Sequence, residues 1–302
     1  MSSNVNKIRA ALVGYGNIGH YVLQSLLEAP DFEIAGVVRR NATAIPDELS
    51  SFQVVTDIAE LGHVDVAILA TPTRAVEEYA SRYLAMGINT VDSFDIHSSI
   101  PELHRNLGKI ALEHGTVAII AAGWDPGSDS VVRTLMQAAA PKGLTYTNFG
   151  PGMSMGHSVC ARSKAGVRNA VSMTIPLGTG IHRRMVYVEL EPGYTLDQVT
   201  TEIKSDPYFA SDETHVIEVG SVDEVRDMGH GVNMVRKGTS GRTPNQRLEF
   251  NMAINNPALT AQILVSVARA SMRQKPGCYT MIEIPMIDLL PGSREEHISH
   301  LV

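Results

Sequence analysis

From Lys7 onward, short apolar runs alternate with segments of helical period. The runs are KIRAALVG, FEIAGVVRR, VDVAILATPT, INTVDSFD and TVAIIAAG, and helical patterns cover about Asn17–Leu27, Arg74–Met86 and Pro101–His114. Runs that are apolar on both faces and separated by helices predict a parallel sheet covered on each side, a doubly wound α/β domain. After Asp125 the pattern changes. PGSDSVVRTLMQAAAPKG predicts one helix; MTIP, MVYVELEPG, HVIEVGS, VNMVRKG and RLEFNMAI predict strands with fewer helices between them. That is the signature of an α+β domain with a mixed or antiparallel sheet. Residues 1–123 and 124–256 are therefore expected to form two domains. The last periodic segment, NPALTAQILVSVARASMRQ, places Leu259, Ile263, Val267 and Ala270 on one stripe. It is expected to pack back on the first domain, so that about 257–302 completes that domain.

Composition narrows the class of protein. A chain of 302 residues, 44% hydrophobic and 19% charged, has the profile of a globular protein with room for two cores. The net charge of −7, without a run of five or six like charges, argues against nucleic acid or an anionic membrane as partner and favours a small molecule. Cys160 and Cys278 lie far apart and in no cluster of metal-ligand spacing, so no metal is expected. The opening MSSNVNK lacks an apolar core, and no apolar run reaches the ~18 residues of a membrane span. A cytoplasmic protein is expected.

Gly14, Gly16 and Gly19 form GYGNIG between the first apolar run and the first helix. In a Rossmann-like unit such glycines permit the tight turn, the approach of a pyrophosphate and close helix–strand packing, while amides at the helix start hold the anion. About 20 residues past the last glycine, where an acid would bind an adenosine ribose, stand Arg39 and Arg40. Guanidinium groups grip a 2′-phosphate that a carboxylate would repel, so the expected coenzyme is NADP and not NAD. The competing reading is two solvated arginines at an exposed strand end.

Ligands of open α/β sheets lie beyond the carboxyl ends of the strands. Two of these ends carry acids: Asp92 and Asp95 in VDSFDIH, and Asp125, beside the single tryptophan Trp124, in AAGWDPG. A helix N-cap is the plain reading of each. Convergence on the nicotinamide end is the chemical one, because carboxylates there can hold an amine or move its protons and those of water. Spacing alone does not choose an amine over an alcohol.

GYGNIG with VVRR, TVDSFDIH, AGWDPGSDS, TNFGPGMSMGHSV, MTIPLG, HRRMVYVELEPG, MGHGV, INNPALTAQ and QKPGCYTMIEIP resemble the meso-diaminopimelate dehydrogenases over nearly the whole chain. The resemblance implies reversible, NADP-dependent oxidative deamination at the D-centre of meso-2,6-diaminopimelate, giving L-2-amino-6-oxopimelate, ammonia and NADPH. Run backwards, it supplies a precursor of lysine and peptidoglycan. It also implies a homodimer, with residues 124–256 serving substrate binding and dimerisation. Asp95 and Asp125 correspond to the carboxylates around the reacting amine. Trp124 and Phe149 shape the pocket, the backbone of Met155 and Gly156 receives the nearby carboxylate, and Thr174, Arg184, His230 and Asn256 serve the distal one. The coenzyme side covers Gly14, Tyr15, Gly16, Asn17, Ile18, Gly19, Arg39, Arg40, Thr71, Pro72, Thr73, Arg74, Ser93 and Phe94, together with Trp124, Asp125 and Pro126.

These roles suit the residue types, since Arg184 offers a planar, bidentate grip on a carboxylate. Which of Asp95 and Asp125 acts as base stays open, as does whether the enzyme is strict for the diamine or also aminates 2-keto acids to D-amino acids. Arg183 is the alternative anchor if the strand register differs by one. His157 and His182 read as structural or solvent-facing, Met153 and Met155 as packing, and Cys160 as an inert thiol with no cation beside it. Two rivals remain: an NADP-linked oxidoreductase acting on an alcohol, aldehyde or cyclic imine, and a non-catalytic NADP sensor. The first rival lacks the strand-end lysine that alcohol oxidation would use.

Overall fold

A computed structural model describes residues 7–43, 45–225 and 229–302. The chain divides into two compact units, one made of Met1–Val131 with Pro257–Val302, the other of Val132–Asn256.

In the first unit, β1 (Ile8–Val13) leads to α1 (Asn17–Leu27), β2 (Phe32–Val38), β3 (Val54–Val55), β4 (Val66–Leu69), α2 (Val76–Ala85), β5 (Asn89–Asp92), α3 (Ile100–His114) and β6 (Val117–Ile119), and α4 (Ser128–Ala139) begins in this unit and ends in the other. The central runs AALV of β1, VAIL of β4 and VAI of β6 are buried on both faces, as the centre of a doubly covered sheet requires. One core joins Leu12, Val22, Leu26 and Ile68; another joins Val13, Leu69, Tyr83 and Leu107. Each belongs to one side of the sheet.

The second unit contains β7 (Lys142–Phe149), β8 (Gly152–Met153), α5 (Met155–Arg162), β9 (Val167–Gly178), β10 (Ile181–Leu190), α6 (Leu196–Lys204), β11 (Glu213–Glu218), β12 (Gly229–Ser240) and β13 (Thr243–Asn255). Among the described residues these strands form two sheets. In the order β11-β10-β9-β8, only the β10–β11 pair is parallel, which makes that sheet mixed; β13-β12-β7 is antiparallel. The apolar stripe of α6 and the inward residues of β9 and β10 meet in a core of Val167, Val186, Val188, Val199, Ile203 and Phe209. A capping box at Thr195 and Gln198 starts α6.

The chain then returns to the first unit through α7 (Asn256–Ser271), β14 (Gly277–Tyr279) and α8 (Arg294–Leu301). β14 pairs with β6 and completes a seven-stranded parallel sheet in the order β14-β6-β5-β4-β1-β2-β3. α7 differs from the expected single stripe. Leu259 and Ile263 are half-buried, whereas Ala261, Leu264, Val265, Val267, Ala268 and Ala270 are fully enclosed. A helix covered on most sides shows little amphipathic period, which explains the difference.

Candidate functional site

In the first unit, every residue assigned to the coenzyme lies at or beyond the carboxyl end of a strand. GYGNIG follows β1, Arg39 and Arg40 follow β2, Thr71–Arg74 follow β4, Ser93–Asp95 follow β5, and Trp124–Pro126 lie past β6. The glycine loop fits a pyrophosphate. A Cβ on Gly14 would come within 2.5 Å of the Ala70 oxygen, and one on Gly19 within 2.4 Å of the Gly14 oxygen, while one on Gly16 would meet nothing within 4 Å. The loop is thus closed on its inner side and open where an anion would approach. Gly16 caps α1 without a side-chain hydrogen bond, which leaves the helix start suited to phosphate. Tyr15 donates a 2.6 Å hydrogen bond to Glu48 Oε2; burial and that carboxylate push its phenol up to about 12. Arg39 is half-buried with its backbone amide on the Val55 oxygen at 2.9 Å, and Arg40 is exposed.

The two strand-end acids of VDSFDIH have different surroundings. Asp95 is half-buried and accepts a 2.7 Å hydrogen bond from Thr73 Oγ1, so the acid is tied to the turn after β4. Asp92, expected to converge on the nicotinamide end, instead turns inward. It is fully buried, and its Oδ1 accepts the amides of Phe94 (2.9 Å) and Ala121 (3.1 Å). Burial pushes its carboxyl up to about 6. AGWDPG folds into a closed turn in which the Gly123 amide donates to the Pro126 oxygen (2.9 Å) and the Ser128 amide to the Gly123 oxygen (3.1 Å). Gly127 adopts φ +143°, and a Cβ there would lie 2.0 Å from the Gly123 oxygen, so only glycine closes it. The turn holds Trp124 buried and Asp125 half-buried.

In the second unit, the pairing of β9 with β10 sets Arg184 opposite Thr174. Arg184 donates through Nη1 to Thr174 Oγ1 and through Nε to Asp212 Oδ2 at 2.6 Å. Arg183, one position earlier and therefore on the other face, pairs with Glu213 instead. Of the two candidate anchors, Arg184 is thus the one on the face of Thr174. Phe149 and His182 stand beside it: the Phe149 amide donates to His182 Nε2 at 2.8 Å, and the rings lie 5.5 Å apart. Burial and the Arg184 charge hold His182 below its ordinary value. It is structural, half-buried and not solvent-facing.

The start of α5 presents Met155 and Gly156. Its N-cap Ser154 makes no side-chain cap bond, because the hydroxyl lies 2.8 Å from His157 Nδ1. His157 is enclosed by Tyr208 and Phe209, and burial together with Arg184 pulls it down to about 4. A Cβ on Gly152 would lie 2.0 Å from the Gly229 oxygen, so β8 touches the start of β12, where buried His230 holds the Gly231 amide on Nδ1 at 2.7 Å. Asn256 is buried at the start of α7.

One further sequence expectation needs correction. Met153 packs in a buried cluster with Val171 and Val222, as expected of it, but Cys160 does not lack a neighbouring cation: Lys164 lies beside it, and Asp206 hydrogen-bonds both. Asp212 carried no signal in spacing or motif. Only the register that places β11 against β10 brings its loop to Arg184.

The fold and the loop at the end of β1 define a nucleotide-dependent oxidoreductase: residues 8–92 match the family described as oxidoreductase family, NAD-binding Rossmann fold. Residues 123–182 match the diaminopimelic acid dehydrogenase C-terminal domain. A meso-diaminopimelate D-dehydrogenase of Bacteroides fragilis is 68% identical over 99% of this chain and all of its own length, and one of Lysinibacillus sphaericus is 33% identical over 96% and 97%. The chain belongs to the meso-diaminopimelate D-dehydrogenase family. Among solved structures, the C. glutamicum DAP dehydrogenase in complex with DAP superposes with a TM-score of 0.89 at 28% identity, covering 98% of this chain and all of that one. An engineered D-amino acid dehydrogenase bound to NADP+ gives 0.87 at 28% with the same coverage.

Proposed function

We propose that the chain catalyses the reversible oxidative deamination of meso-2,6-diaminopimelate at its D-centre. The diamine, water and NADP+ give L-2-amino-6-oxopimelate, ammonia, NADPH and a proton. The observation that carries this reading is the 68% identity to a meso-diaminopimelate D-dehydrogenase over 99% of this chain and all of that one. Residues 8–92 supply the coenzyme fold, and the open Gly16, the uncapped start of α1 and Arg39 with Arg40 suit a pyrophosphate and a 2′-phosphate. The bound coenzyme supplies the hydride acceptor.

Asp95 and Asp125 hold the amine of the D-centre, and one of them accepts a proton from the ammonium group. This frees the nitrogen lone pair that assists hydride departure from the α-carbon. The same carboxylates then hold the water that adds to the C=N carbon as ammonia is lost. Backbone amides of Met155 and Gly156 receive the nearby carboxylate, and Trp124 and Phe149 limit the pocket. Arg184, held by Thr174 and Asp212, takes the distal carboxylate with His230 and Asn256. Fixing both carboxylates orients the D-centre for reaction and leaves the L-centre remote from the coenzyme.

In this reading residues 1–123 with about 257–302 serve the coenzyme, and 124–256 serve substrate and dimerisation; the working form is a cytoplasmic homodimer. The test is turnover by the purified chain with NADP against the stereoisomers of diaminopimelate, 2-keto acids, and D- and L-amino acids. NADP reduction with the meso isomer and none with the L,L isomer is expected. No reduction with the meso isomer, alongside turnover of an alcohol or aldehyde, replaces this reading with its rival.

A further inference from the structure

We propose that Asp92 is a positioning residue for the deamination, its carboxylate joining the turn that carries Asp95 to the turn that carries Trp124 and Asp125. The inference rests on the reading of Asp95 and Asp125 as the groups at the reacting amine.

The ladder between β5 and β6 pairs Thr90 with Ala118 and Val91 with Ile119, and Asp92 lies one residue past it. Beyond this point the two chains part, one toward Ser93–Asp95 and the other toward Gly123–Asp125. Asp92 bridges the gap twice. Its backbone oxygen accepts the Ala122 amide at 2.8 Å, and its Oδ1 accepts the amides of Phe94 at 2.9 Å and Ala121 at 3.1 Å. One oxygen therefore fixes the residue before Asp95 and the strand exit that leads to Trp124 and Asp125.

Ala121 sits in the left-handed region at φ +53°, a conformation that a non-glycine residue keeps only when its surroundings hold it. The bond from its amide to Asp92 is one such constraint. The other oxygen, Oδ2, is buried without a hydrogen-bond partner among the described residues, so the acceptor function falls on Oδ1 alone. Asp92 is also wholly enclosed, which separates it from substrate and coenzyme; it acts through Asp95, Trp124 and Asp125. Burial raises its carboxyl to about 6, in keeping with a group whose task is to accept amides and not to carry charge into a reaction.

The experiment compares wild type, Asp92→Ala and Asp92→Asn in kcat and KM for the diamine, in NADP affinity measured by direct titration, and in melting temperature. Asparagine keeps an acceptor oxygen at the place of Oδ1 and an isosteric group at the place of Oδ2. Expected are a fall in kcat of at least about tenfold for Asp92→Ala, NADP affinity within about threefold of wild type, and return of kcat to within about threefold in Asp92→Asn. A folded Asp92→Ala with wild-type kcat overturns the proposal. So does loss of NADP affinity in step with kcat, which marks general disruption, or an Asp92→Asn as slow as the alanine variant. Should Asp92→Ala fail to fold, Asp92→Ser, which retracts the acceptor, is judged by the same criteria. A wild-type chain that binds NADP but leaves the meso diamine unchanged identifies the functional reading as the failure, and the proposal falls with it.

Discussion

Arg39 stands half-buried where β2 ends, with its backbone fixed by Val55, so replacing its side chain leaves the strand intact. Arg39→Asp is expected to weaken NADP binding by more than about tenfold, at least ~1.4 kcal/mol, in a direct titration; unchanged affinity would remove Arg39 from the coenzyme site. His157 makes a different prediction. Its folded value of about 4 lies below the ordinary 6.5, so the neutral ring contributes stability that is present above pH 6.5 and lost as pH falls toward 4. The wild type should lose on the order of 3 kcal/mol more than His157→Asn across that window in urea melts, and parallel curves would count against a buried neutral imidazole. Residue types were legible in the sequence at this scale; partners were not. Arg184 could be named but not separated from Arg183, because only the β9–β10 register assigns them to opposite faces. Asp212 reaches Arg184 across 28 positions of chain, a distance no local pattern encodes.

The elements most visible in the sequence are those with uninterrupted patterns. α1 runs from Asn17 to Leu27 as its apolar spacing predicts, and the strand runs of the first unit appear in their expected order. β3 and β14, two and three residues long, are too short to show a period and are defined by their neighbours in the sheet. β7 has no buried residue along its length, which removes the alternation that would have marked it, and α5 is mostly small and polar. α6 had a readable signal in Thr195 and Gln198, the spacing of a capping box. α7 contributes several fully buried residues to the core of the first unit. Its fully buried Leu264 joins the core of Leu12 and Ile68, so Leu264→Ala should cost roughly 2–5 kcal/mol in denaturant unfolding. A cost under about 1 kcal/mol would mean that α7 is not integral to that core.

Across the whole molecule, the two units differ in construction: one is a seven-stranded parallel sheet whose strand ends carry backbone amides and acids, the other a pair of smaller sheets carrying Arg184, Thr174 and His230. The order is economical in loop chemistry, since the motifs after β1, β4, β5 and β6 all lie on one edge of one sheet. Division of the chain is less simple than a head and a tail, because residues from Pro257 onward belong with the first unit. A chain ending at residue 256 lacks α7 and β14, and is expected to lose NADP binding by at least about a hundredfold in titration, with the sheet's β6 edge laid open. Full NADP affinity in that shortened chain would show the return segment to be dispensable.

Because β14 follows the inserted unit in the chain, a nascent chain has translated all of Val132–Asn256 before its first sheet can be completed. Synthesis from the amino end ordinarily lets the leading domain fold first. Here the inserted one can mature ahead of its host, whose sheet waits for the segment from Pro257 onward.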